Sequence, residues 1–96
     1  MARFDFFAAY ILANKKNGTI YTGSTADLVA RLEQHKSGAG SVFTGKYDVC
    51  RLVWFERFEK MDEAIRRERN IKTWPRKWKI ELIEGINPEW EELPLF

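Results

Sequence analysis

Five side chains carry acid, base or cationic chemistry at spacings that a small fold can bring together: Tyr10, Tyr21, Arg31, His35 and Glu68. Arg31 and His35 are four residues apart, so on a helix they project from one face with Leu28 and Leu32. A guanidinium there can hold a phosphate by two-point hydrogen bonding and offset charge building on its oxygens; the plainer reading is a surface arginine and a partly buried histidine at a helix-sheet seam. Tyr10 and Tyr21 fall on neighbouring strands. Two phenols can hold or deprotonate a water when a metal or cation lowers their pKa, or can simply pack across the strands. Glu68 lies three or four places from Ala64, Ile65 and Ile71, on a stripe that should face a sheet. An unpartnered carboxylate is costly there, so a metal ion or a salt bridge to Arg31 or Lys72 must satisfy it.

Other chemistries lack their parts. The sequence holds no Gly-rich phosphate loop, paired metal-binding histidines or nucleophile elbow, and a hydrolase built on Cys50 would depend wholly on His35. Cys50 is the only cysteine, which excludes an internal disulfide or thiolate cluster and fits a reducing cytoplasm. Its run from Val49 to Trp54 reads as a strand interior, so a buried, inert thiol is expected. The longest apolar stretch, residues 6–13, is far too short to span a membrane, and Asp5 before it with Lys15 and Lys16 after it do not suit a signal peptide.

The net charge of +2 is unevenly spread. Between Arg66 and Lys79 there are seven basic residues against the single acid Glu68, whereas residues 81–96 carry five Glu and no base. Arg66, Arg67, Arg69, Lys72, Arg76 and Lys77, interleaved with Trp74 and Trp78, can neutralise phosphates and stack bases, or can form a solvated helix face. The acidic tail from about residue 86 to 96 would restrict where a polyanion lies. Its Trp90, Leu93, Leu95 and Phe96 also look exposed enough to dock a protein partner.

These groups must be positioned by one domain, since 96 residues leave no room for a second core. Residues 7–14 and 20–23 read as strands joined at Asn17-Gly18, a tight-hairpin signal. Ser24 and Thr25 offer N-cap hydroxyls for a first helix over 26–36. The Gly- and Ser-rich segment 37–46, including Thr44, reads as a mobile loop before a third strand over 49–58. Met61, Ala64, Ile65, Glu68 and Ile71 trace a second helix. Trp74-Pro75 breaks it, and Pro75 suits the first position of a third helix ending near Gly85. The order ββαβαα predicts an α+β domain with helices packed on a small sheet.

Ala8-Ala9-Tyr10, Tyr21-Thr22-Gly23, Arg31 ten residues after Tyr21, His35, Lys46-Tyr47, the segment 63–74 and the segment 83–88 together resemble the GIY-YIG nuclease family, in its small stand-alone bacterial branch. Ala8 and Ala9 replace the Gly and Ile of the first motif and Thr22 the Ile of the second, but both tyrosines remain. The resemblance implies a three-stranded antiparallel sheet flanked by helices. It also implies Mg²⁺- or Mn²⁺-dependent phosphodiester hydrolysis leaving a 5′-phosphate and a 3′-hydroxyl. Carried over by position, Glu68 is the metal ligand, Tyr21 or Tyr10 activates or orients the water, Arg31 stabilises the transition state and His35 assists near the phosphate. Asn87 corresponds loosely to a supporting asparagine, and before Pro88 it is also an ordinary turn signal. One carboxylate implies one ion. The expected partner is nucleic acid, DNA ahead of RNA, in repair or recombination, cut by a cytoplasmic monomer whose targeting a protein partner supplies. A binding module without catalysis is the alternative.

Overall fold

A computed structural model describes residues 6–37 and 46–94. Strand β1 (Phe7–Ala13) is the middle of a three-stranded sheet of order β2-β1-β3, with β2 at Ile20–Thr25 and β3 at Arg51–Phe58. Both pairings are antiparallel. The unbroken apolar run of β1 follows from its place, because Ala8 to Ala13 are fully buried on both sides of the sheet. Ala8, Tyr10 and Leu12 face one layer with Leu28 and Leu32 of helix α1 (Leu28–Lys36). Ala9, Ile11 and Ala13 face the other, with Ile71 of helix α2 (Met61–Thr73) and Ile83 of helix α3 (Arg76–Glu84). This is the expected α+β domain in the order ββαβαα, with a three-stranded antiparallel sheet.

The hairpin turns where expected. Asn17 adopts a left-handed φ of 58°, Gly18 N–H donates to the Lys15 carbonyl at 3.0 Å, and Asn14 Oδ1 accepts from Thr19 N–H at 3.0 Å. Strand β2, however, continues through Ser24 and Thr25, which pair with Ala9 and Ala8. Those two residues therefore do not cap α1 as expected. Asp27 does, its Oδ1 accepting from Ala30 N–H at 3.1 Å, while Thr25 Oγ1 accepts from Asp27 N–H. Trp74 (ψ 150°) ends α2 as its following proline requires, but Pro75 is the N-cap of α3, one place earlier than expected. The expected loop over 37–46, with Thr44, falls almost wholly outside the described residues.

Strand β3 carries a bulge: Ile11 pairs with Trp54 and Leu12 with Leu52, leaving Val53 without a partner on β1. Val53 and Trp54 consequently both face the α2-α3 layer. The Val53 carbonyl is taken by buried Asn87, whose Nδ2 donates to it at 3.1 Å and to the Glu91 carbonyl at 2.8 Å. Asn87 thus holds the bulge and the chain's last turn. Cys50 is half-buried and precedes β3 rather than lying inside it, which corrects the expected strand interior. Its thiol is still pushed up, first by burial, then by Asp48.

The acidic tail packs on the fold through Trp90 and Leu93. Trp90 is fully buried at a left-handed φ of 57°, with its indole N–H donating to Glu84 at 2.8 Å. Arg51 donates to the Trp90 carbonyl at 3.1 Å, Leu93 N–H to the Leu52 carbonyl at 2.8 Å, and Leu52 N–H to Glu92 at 3.0 Å. Half-buried Leu93 packs on the α1 layer. The tail satisfies backbone groups that an open edge strand would expose, so Trp90 and Leu93 belong to the core; Leu95 and Phe96 lie outside the described residues. Replacing Trp90 by Ala is expected to cost about 3–5 kcal/mol in urea unfolding; a loss below about 1 kcal/mol would contradict this role.

Candidate active site at the β2 edge

Alternation along β1 and β2 puts Tyr10 and Tyr21 on the α1 side of the sheet, their ring centres 6.3 Å apart. Helix α1 brings His35 against both, at 6.1 Å from Tyr10 and 5.4 Å from Tyr21. Tyr10 is fully buried because its cross-strand partner is Gly23: a β-carbon at Gly23 would lie 2.6 Å from Tyr10 Oη and 2.7 Å from Cζ. Gly23 is therefore the seat of the phenol, a role the sequence signals only as a glycine inside a strand.

Tyr10 Oη lies 3.2 Å from His35 Nε2, and the positive charge of Arg31 is felt at the phenol. A buried hydroxyl must place its proton, and His35 Nε2 is in reach to take it. The electrostatics agree. The Tyr10 phenol is held well above its ordinary range, first by burial and then by Tyr21, against the opposing charge of Arg31. His35 is pushed down, first by burial and then by Arg31, so it is neutral near pH 7 and can accept at Nε2. The result is a buried Tyr10–His35 hydrogen bond beside the charge of Arg31, with Tyr10 kept protonated.

Glu68 reaches the same strand from the opposite layer. Ser24, paired with Ala9 and so on the α2 side, donates its hydroxyl to Glu68 Oε1. Lys72, one helical turn beyond, places Nζ 2.6 Å from Oε2. The Glu68 side chain keeps only 18% of its exposure, so of the two salt bridges expected it is the one with Lys72 that forms. The Lys72 ammonium is also 6.0 Å from the centre of the Tyr21 ring, which joins the two halves of the site, and the Glu68 charge is felt at Tyr10. Ser24, expected only to offer an N-cap hydroxyl, is the partner sequence reading missed; 44 residues separate it from Glu68 and no local pattern links them.

Tyr10, Tyr21, Arg31, His35 and Glu68 are thus gathered around β2. The basic run is divided. Arg66, Arg69 and Lys77 are exposed on α2 and α3. Arg67 pairs with Glu56 at 3.1 Å and lies over the Trp54 and Trp74 rings, and Arg76 donates to the Asn17 and Gly18 carbonyls of the hairpin. Half-buried Trp74 meets exposed Trp78 edge to face at 6.0 Å, beside a shallow hollow of about 340 Å³ completed by Glu81 and Leu82.

Among the described residues no group of three or more His, Cys, Asp or Glu side chains converges. A hard oxygen donor that is part-buried and already in contact with a cation is nonetheless suited to Mg²⁺ or Mn²⁺, with water and substrate oxygens completing the shell.

The GIY-YIG catalytic-domain model matches residues 6–81, which take in all five converging side chains. UPF0213 proteins of Staphylococcus aureus, in strains Mu50 and N315 among others, are 40% identical over 68 residues, covering 71% of this chain and 83% of theirs. The solution structure of a UPF0213 protein from Bacillus halodurans superposes with a TM-score of 0.55 at 34% identity, covering 90% of each chain.

The state of His35 sets a pH dependence. Its folded value lies below the ordinary 6.5, so the unfolded chain binds the proton more readily. Its contribution is complete above about pH 6.5 and is lost as pH falls through the folded value. Urea midpoints are expected to fall more steeply from about pH 7 to about pH 5 in the wild type than in His35→Gln. Equal slopes would contradict the assignment.

Proposed function

The chain belongs to the GIY-YIG catalytic-domain family, a nuclease family that generally uses divalent metal, and from that membership we propose that it is an endonuclease hydrolysing DNA phosphodiesters in repair or recombination. The observation that carries the proposal is the convergence on β2 of four groups from one face of the sheet with the part-buried carboxylate of Glu68 from the other.

In this reading Glu68 would hold one Mg²⁺ or Mn²⁺ ion, and Ser24 fixes the carboxylate by donating its hydroxyl to Oε1. Bound there, the ion supplies Lewis-acid stabilisation of the phosphate. Tyr10 is held protonated and acts as a donor rather than a base, its hydroxyl held by His35 beside the charge of Arg31. That leaves Tyr21 to orient the water. Arg31 offsets the charge that grows on the phosphate oxygens, which is worth most where water is partly excluded. Arg66, Arg69 and Lys77 then track the backbone, while Trp78 offers a face for an unpaired base. The proposed setting is the cytoplasm, with the protein acting as a monomer.

The test is a panel of labelled branched, single-stranded and duplex DNA and RNA incubated with Mg²⁺ or Mn²⁺. Cleavage is expected on DNA and is expected to fall by about a hundredfold or more in Glu68→Gln, with thermal unfolding little changed. Full activity in that variant would remove Glu68 from the chemistry. Salt-sensitive binding without cleavage under any metal would instead select the non-catalytic binding module.

A further inference from the structure

We propose that Lys72 is a displaceable counter-ion: in the substrate-free protein its ammonium occupies the Glu68 oxygen that the metal takes, and it transfers to a substrate phosphate when the two bind. The inference rests on the reading of Glu68 as metal ligand and adds a residue that couples metal to substrate.

Both Glu68 oxygens are engaged, but by unlike partners. Oε1 takes the hydroxyl of Ser24, a short neutral side chain fixed in β2, whereas Oε2 takes a full positive charge at 2.6 Å. A carboxylate with 18% exposure is poorly solvated and needs a cation beside it. Lys72 fills that need from four residues away along α2.

The choice of cation matters. A lysine ammonium is a compact point charge on a flexible stem, and the Lys72 side chain is half exposed, so it can swing away without disturbing the core. A guanidinium in its place would bind both carboxylate oxygens in a fork and be harder to remove. Two nearby arginines, Arg67 and Arg76, are tied instead to Glu56, to aromatic faces and to hairpin carbonyls.

The ammonium has a second place to go. It already stands 6.0 Å from the Tyr21 ring centre, on the side of Glu68 where the tyrosines, Arg31 and the scissile phosphate meet in the proposed site. A phosphate arriving there attracts the ammonium, frees Oε2 and favours the divalent ion. Without substrate, ion and ammonium compete for one oxygen. Metal and substrate therefore raise each other's affinity, as linkage requires.

Calorimetric titration of the full chain with Mn²⁺ tests this without reference to turnover. Lys72→Met is expected to bind Mn²⁺ about fivefold more tightly than wild type in the absence of nucleic acid, the discount for a half-exposed pair being included. Lys72→Arg should bind no more tightly than wild type. A short phosphorothioate oligodeoxynucleotide should raise Mn²⁺ affinity more in wild type than in Lys72→Met. Lys72→Gln, with thermal unfolding of each variant, guards against a fold defect. Equal Mn²⁺ affinity in wild type, Lys72→Met and Lys72→Gln, all lost in Glu68→Gln, would overturn the role of Lys72 and leave the metal reading standing. Binding that survives Glu68→Gln, or no binding by any variant, would overturn the metal reading and this inference with it.

Discussion

A phenol buried at the centre of the sheet must have room for its ring and partners for its hydroxyl, and Tyr10 has both only because of how β2 and α1 are built. Gly23 leaves the space in which the ring lies; any side chain there would collide with it. His35 and Arg31, one turn apart on α1, supply its hydrogen-bond partner and a nearby positive charge. The same burial raises the Tyr10 pKa and lowers that of His35, so both groups stay neutral, and the direction of the hydrogen bond follows from the tautomer of His35. Tyr21 and the α1-side packing are arranged around this contact.

The two edges of the sheet are treated differently. The C-terminal segment closes β3, with Leu93 and Glu92 meeting the backbone of Leu52, Asn87 meeting the bulged Val53, and Trp90 filling the space below. At β2, Ser24 and Thr22 lie between α2 and the tyrosine cluster, and Glu68 reaches over from α2. A carboxylate brought to this border is neither in water nor in the core. It can be held by a hydroxyl, neutralised by an ammonium and still exchange that ammonium for another cation.

Much of this was legible in the sequence where local pattern decides the outcome. The β-rich run of β1 marked a strand, Asn17-Gly18 marked the hairpin, and strand alternation put Tyr10 beside Tyr21. The stripe through Ala64 and Ile71 correctly carried Glu68 toward the sheet. What could not be read depends on contacts distant in sequence. Ser24 resembled a cap because the β1 partner that keeps it in β2 is not visible locally. Trp90 resembled an exposed anchor because Glu89, Glu91 and Glu92 surround it, whereas its burial is decided by Glu84 and by the open edge of β3. The tertiary partners of Arg67 and Arg76 likewise lie on β3 and in the hairpin, beyond anything a charge count can reveal.

The hydrogen bond between Tyr10 and His35 is the claim on which the site rests, and ¹⁵N NMR of the His35 imidazole reads it directly. At neutral pH the account predicts a neutral ring with its proton on Nδ1 and an unprotonated, hydrogen-bonded Nε2, as an acceptor for the Tyr10 hydroxyl must be. A ring protonated at both nitrogens, or one carrying its proton on Nε2, would reverse the direction of that bond and contradict the account.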